Sequence, residues 1–333
     1  MSNVMMLLGG LFLLVVGGEL LVRGAVAVAE RFGMSPLLIG LTLVGFGTSM
    51  PELVTSVQAS LANSPGIAVG NIVGSSIANI LLILGLSAII TPISVNSGAL
   101  KRDGAIVLFS AILLGVVGHF LALDRLVGFA FVCLLAAYLV FVFKQETLGS
   151  ELGHSAAVEK AGAYDQLHEG PINHQAAAKR WAERIGPVIP LVMALGGLAI
   201  VVLGGKVLVD AATLIARGAG ISETVIGLTI VAVGTSMPEF VTSVVAALRN
   251  QSDVALGNIM GSNIYNILGI GGVTGLIAPT PIPDEIVRFD NVVMIGASLA
   301  LLVFARSGLR IGRVEGAVLL ACYGAYVLAL WPK

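Results

Sequence analysis

The sequence predicts an all-α integral membrane protein, ten transmembrane helices arranged as two inverted five-helix repeats. Three observations lead there: the composition, the run of apolar segments, and an internal repeat at constant offset. Soluble domains carry about a quarter charged residues. This 333-residue chain is 11% charged and 57% hydrophobic, with mean hydropathy +1.00, and so cannot cover a water-facing surface. A net charge of −1 gives no reason to expect nucleic acid or an acidic substrate.

Apolar segments near 4–29, 35–62, 66–91, 104–121 and 124–143 form the first set. The second lies near 187–216, 222–248, 253–278, 290–305 and 312–331. A span needs roughly 20 residues, so the longer runs imply tilt or breaks. The first run lacks a basic leader and continues past a cleavable length, so it reads as a span and not a signal peptide. Cys133 and Cys322 fall in apolar runs and read as small buried hydrophobes.

The organisation follows as a first repeat over 1–143, a linker over 144–186 and a second repeat over 187–333. The linker reads as a solvated connection, and its His154, His168 and His174 have no standard metal-ligand spacing. Twelve Lys and Arg fall in odd-numbered connections, against four in even-numbered ones and at the C-terminus. The positive-inside rule then puts the linker in the cytoplasm and both termini outside.

The repeat is the strongest signal. Residues 40–81 read GLTLVGFGTSMPELVTSVQASLANSPGIAVGNIVGSSIANIL, and residues 227–268 read GLTIVAVGTSMPEFVTSVVAALRNQSDVALGNIMGSNIYNIL. Glu52 and Glu239 are 187 residues apart, as are Asn79 and Asn266, and about two-thirds of the aligned positions are identical without a gap. Chance likeness between apolar helices would match Leu, Ile and Val, not Gly, Thr, Ser, Pro, Glu and Asn in order. Five spans separate equivalent points, so the copies cross the membrane in opposite directions. Secondary transporters use this design around a midplane site.

Intramembrane carboxylates are costly and point to function. Glu52 and Glu239 each follow Gly-Thr-Ser-Met-Pro, where Pro51 and Pro238 remove an amide donor and crowd the carbonyl four residues back. Thr48 and Glu52 share a helix face by spacing, as do Thr235 and Glu239. On the next span Asn71, Ser75 and Asn79 form a polar stripe beside Gly74, and Asn258, Ser262 and Asn266 repeat it beside Gly261. Helix packing accounts for Asn71, Asn258 and the glycines. It does not account for the glutamates, which no Lys or Arg of the motif neutralises. Two carboxylates in a low-dielectric pocket repel unless protonated or bridged by a cation. Oxygen-only ligands suit Ca²⁺ or Na⁺ and no soft metal.

The paired GTSMPE segments, followed by GNIVGSSIAN and GNIMGSNIYN, resemble the alpha repeats of the sodium/calcium exchanger family of cation/calcium antiporters. The likeness spans the ten-span body and is to the short prokaryotic type, because the linker is too small for the regulatory calcium-binding domains of animal exchangers. The resemblance implies exchange of Ca²⁺ for Na⁺ in a cell (inner) membrane, without a cofactor or obligatory protein partner beyond the lipid bilayer. It implies ion ligands at Thr48, Ser49, Glu52 and Ser75 from the first repeat and Thr235, Ser236, Glu239 and Ser262 from the second. Asn79 matches a further site position; Asn266 stands where some exchangers carry Asp, which leaves two acids. Exchange driven by H⁺ or K⁺ is therefore the alternative.

Outside the motif, Glu19 and Arg23 on the first span match Lys206 and Asp210 on the sixth with signs exchanged, and read as pairs along their own helices. An intramembrane hydrolase using Ser49 or Ser236 lacks an activating His or Lys in register. A channel is distinguished by conductance in place of coupled exchange.

Overall fold

The computed structural model describes residues 2–32, 45–147, 155–160 and 188–331. In chain order the helices are α1 (Ser2–Arg31), α2 (Gly45–Thr48), α3 (Met50–Leu61), α4 (Pro65–Ile90), α5 (Leu100–Phe120) and α6 (Arg125–Thr147). A short linker helix α7 (156–160) follows. Then come α8 (Val188–Ala219), α9 (Glu223–Thr235), α10 (Met237–Leu248), α11 (252–277), α12 (Ile286–Arg306) and α13 (Arg313–Leu330).

Among the described residues, seven helices are long and apolar enough to cross a membrane, and the bent pair α9–α10 makes an eighth. Helix α11 carries Asn258, Ser262, Asn263 and Asn266 and is not counted with them; these polar residues dilute its apolar character. Burial sorts the helices into layers. The most apolar window of α4 is 83% buried, against 17–39% for the other six. Helix α4 therefore lies at the centre together with its equivalent α11, buried at every position over 254–272, while the other six turn an apolar side outward, as a bilayer solvent requires. Cys133 and Cys322 lie on that exposed outer surface and not in the core, because in lipid an apolar run need not be covered by protein.

Helices α1 and α8 pack along one another antiparallel. A Cβ on Gly10, Gly17 or Gly24 would come within 2.8 Å of the backbone of Leu208, Val201 or Ala194 in turn. The backbones thus touch directly, as small residues permit in membrane helix pairs. Glu19 and Arg23 pair along α1, as expected, while Lys206 and Asp210 are exposed on α8.

The two halves also join at their connections. Ile93–Ser94 pairs antiparallel with Arg310–Ile311, and an isolated bridge joins Leu123 to Thr280. Ile93 and Thr280 are equivalent at the 187-residue offset, as are Leu123 and Arg310. Each half thus lends the same pair of loops to the other.

Candidate functional site

Both GTSMPE segments break where the prolines direct. Helix α2 ends at Thr48 and α3 begins at Met50, with Ser49 between at φ −93°, ψ 13°; in the second copy Ser236 lies between α9 and α10 at φ −81°, ψ 11°. The α9–α10 bend is 51°. Pro51 and Pro238 fall in the first turn of the new helix, where a missing N–H costs nothing. Thr48 and Glu52 are therefore not on one continuous helix, as their spacing alone suggests. The break turns Thr48 toward the Gly45 carbonyl (3.4 Å) and leaves Glu52 in the first turn of α3.

That placement sets the charges. Glu52 and Glu239 each sit at a helix N-terminus inside the protein, where unpaired N–H groups favour an anion. Each carboxylate is 1% exposed. The two copies then exchange hydrogen bonds. Ser236 Oγ donates to Glu52 Oε1 at 3.0 Å, and Ser49 Oγ donates to Glu239 Oε1 at 3.3 Å. On each glutamate the second oxygen, Oε2, is buried with no hydrogen-bond partner. A buried anionic oxygen without a donor is costly. Two of them define a place suited to positive charge.

The asparagines act as sequence spacing suggests. Asn71 Nδ2 donates to the Glu52 carbonyl (3.1 Å) and to Ser56 Oγ (3.0 Å). Asn258 Nδ2 repeats this with the Glu239 carbonyl (3.2 Å) and Ser243 Oγ (2.8 Å). They hold each glutamate-bearing helix against α4 or α11. Thr235 Oγ1 adds a bond to Asn71 Oδ1 at 2.9 Å.

The remaining candidates line the same region. Ser75 Oγ donates to the Ala232 carbonyl at 3.3 Å. Asn79 and Asn266 fall where α4 and α11 open into wider π turns, Asn79–Leu84 and Tyr265–Ile270. Such turns recur at functional sites. Asn79 Nδ2 reaches Asn263 Oδ1 at 3.1 Å, and Asn79 Oδ1 is buried without a partner. Both polar atoms of Asn266 are likewise buried and unpartnered.

One member of the site was invisible in the motif. Lys160 of α7, from the linker, is fully buried. Its Nζ donates to Ser49 Oγ (3.1 Å), Glu239 Oε1 (3.2 Å) and Ser262 Oγ (2.5 Å), and lies 5.8 Å from the Tyr265 ring centre. The reading of the linker as wholly solvated is thereby corrected at residues 155–160, since a cation with three oxygen acceptors can be buried where an unpaired one cannot. No sequence pattern marks it. His154, His168 and His174 lie outside the described residues.

A second buried carboxylate set lies apart from the glutamates. Asp103 accepts from Tyr138 Oη (3.1 Å), Arg102 Nε (2.9 Å) and the Ala156 N–H (2.7 Å). Its equivalent Asp290 accepts from Tyr326 Oη at 2.8 Å. The 187-residue spacing of the two aspartates was the available signal.

The family model described as sodium/calcium exchanger protein matches residues 2–144 and 189–331. The chain belongs to that family. Among relatives, the sodium/calcium exchanger MaX1 of Methanosarcina acetivorans is 38% identical, covering 99% of this chain and 98% of its own length. The putative antiporter CaxA of Alkalimonas amylolytica is 36% identical, with 97% of each chain covered. The inner membrane protein YrbG of Escherichia coli is 35% identical over 91% of this chain and 89% of its own. Among solved structures, the sodium-calcium exchanger NCX_Mj soaked with 100 mM Na⁺ and 10 mM Sr²⁺ is similar at TM-score 0.62 and 35% identity, covering 99% of both chains. This member of the sodium/calcium exchanger family is thus a multi-pass membrane protein related to cation transporters. Among its described residues no three His, Cys, Asp or Glu side chains gather at one point.

Proposed function

We propose that this protein exchanges Ca²⁺ for Na⁺ across a cell membrane by alternating access, with both ions bound between Glu52 and Glu239. The observation that carries the reading is the reciprocal pairing of the glutamates, each bonded by the other copy's serine and each keeping one buried oxygen unpartnered. Two carboxylates balance one Ca²⁺. Hard cations of this kind take six to eight oxygen ligands, and Thr48, Ser49, Ser75 and Asn79 with Thr235, Ser236, Ser262 and Asn266 are the side-chain oxygens at hand. A site emptied of transported cations keeps a net negative charge in a water-poor interior, so it resists crossing the membrane unloaded. That resistance couples the two ions.

In this reading ten spans form two inverted halves, 1–143 and 187–333, with the 144–186 linker cytoplasmic and both termini outside. The antiparallel packing of α1 on α8, whose Glu19 and Lys206 are equivalent positions, supports opposite orientations of the halves. So does the matching exchange of loops between them. The α1–α8 pair touches backbone to backbone and is the element free to slide past the glutamate core.

The test is ⁴⁵Ca²⁺ uptake into proteoliposomes loaded with Na⁺ and diluted into Na⁺-free buffer, for wild type, Glu52→Gln and Glu239→Gln. Uptake that requires internal Na⁺ and is lost in both variants is expected. Uptake under an H⁺ or K⁺ gradient alone would replace Na⁺ as the driving ion. Silence under all three gradients would overturn the antiport reading.

A further inference from the structure

We propose that Lys160 is a tethered competitor for the cation site, its ammonium occupying from the linker's side the place between Glu239, Ser49 and Ser262 that a transported cation must take. The inference rests on the reading of Glu52 and Glu239 as the cation site.

The contact is complete in its chemistry. An ammonium carries three N–H donors and no acceptor, and Lys160 has three oxygen partners, all of them candidate ion ligands. Burying an ammonium costs several kcal/mol unless it is so paired. The segment is also anchored at its start. Ser155 Oγ accepts from the Val158 N–H (3.3 Å) as a helix cap, and the Ala156 N–H donates to Asp103 (2.7 Å). Asp103 is itself held by Arg102 and Tyr138.

The seat of α7 is shaped by small residues. A Cβ on Gly261 would meet the Ala156 carbonyl at 2.9 Å and the Lys160 Cβ at 3.1 Å, and one on Gly257 would meet the Glu159 side chain at 2.1 Å. The equivalent Gly74 and Gly70 face the backbone at Gly227–Leu228 of the opposite half. The linker thus lies against one half of the core where the other half receives a piece of the repeat itself.

Charge makes the occupancy reversible. One ammonium against two carboxylates leaves one negative charge in the site, and Glu52 Oε2 stays unpartnered. A divalent cation brings both charges and more ligands, so it displaces the lysine when concentrated enough. Apparent affinity is then set by the fraction of molecules whose site is not taken by Lys160.

The experiment is equilibrium ⁴⁵Ca²⁺ binding to the purified full chain in detergent, comparing wild type, Lys160→Met and Ala156→Pro. If Lys160 occupies the site nine-tenths of the time, removing it tightens apparent Kd about tenfold. Ala156→Pro removes the N–H given to Asp103 and sets a ring carbon against that carboxylate, at a helix position where proline fits the backbone, and is expected to loosen the segment and shift Kd the same way but less. Charge restoration separates competition from folding. In a Cys133→Ala, Cys322→Ala background, Lys160→Cys is labelled with an ethylammonium methanethiosulfonate or with its uncharged methyl counterpart. Only the charged adduct is expected to return the Kd toward wild type. Equal Kd in wild type and Lys160→Met, or equal effects of the two adducts, overturns the competitor while leaving the exchanger reading intact. Absence of Ca²⁺ binding in wild type and Lys160→Met alike overturns the exchanger reading instead.

Discussion

Glu52 and Glu239 have nearly the same surroundings, and the difference between them is informative. Each sits in the first helical turn after a proline break, accepts a hydrogen bond from a serine of the opposite copy and is braced through its carbonyl by an asparagine. Glu239 alone of the two is bonded to Lys160. The repeat therefore builds the common chemistry, and a segment outside the repeat makes the halves unequal. An exchanger needs two near-equivalent states to alternate. On the proposed reading, a contact on one half biases which is held at rest.

The largest effect expected is on transport, where on the proposed reading either Glu→Gln variant should abolish coupled uptake in the vesicle assay, because each removes half the charge proposed to balance Ca²⁺. Stability should then tell the two apart. Glu239→Gln leaves a buried ammonium without its carboxylate, and because the lysine can withdraw, the loss is capped at about 1.4 kcal/mol, the equivalent of its proposed tenfold preference for the site. Glu52→Gln strands no cation. A lower thermal unfolding midpoint in detergent for Glu239→Gln is therefore expected, with the gap closed by adding Lys160→Met. Equal midpoints would break the asymmetry.

Asn71→Ala and Asn258→Ala probe what the halves share. Each strands a backbone carbonyl and a serine, at a cost of about 1–3 kcal/mol, and similar losses in unfolding midpoint are expected. Markedly different losses would mean that the symmetric brace is not the same on both sides. The smallest effect concerns the aspartates. Tyr138→Phe leaves Asp103 its bonds from Arg102 and Ala156, whereas Tyr326→Phe removes the hydroxyl that Asp290 accepts. Tyr326→Phe is expected to cost about 1 kcal/mol, and Tyr138→Phe less, read from the same unfolding curves.

Much of the candidate site was legible because its residues violate the solvent they live in. Glutamate, proline and asparagine in apolar runs have no reason to be there except a break and a charge, and repetition at 187 residues excludes accident. Asn71 and Asn258 were legible as packing residues by their spacing beside glycine. The aspartates at 103 and 290 could have been found by extending the repeat comparison past residue 81. The glycines at 10, 17 and 24, seven apart, could likewise have marked the face of α1 that meets α8, a spacing that sequence reasoning missed.

The sequence by itself determined the membrane class, the duplication, the proline breaks and the identity of the paired acids, since each follows from local composition or from register. Only the tertiary structure decided that each serine serves the other copy's glutamate, because contacts 184 and 190 residues apart leave no local pattern. It alone decided that Ser49 and Ser236, not the threonines, stand at the turning points. And it brought Lys160 from a polar linker into an oxygen-lined pocket, where a carboxylate 79 residues away in sequence but 3.2 Å away in space offsets the cost of leaving water. Lysine in a linker is ordinarily solvated, and only its partners in space make this one an exception.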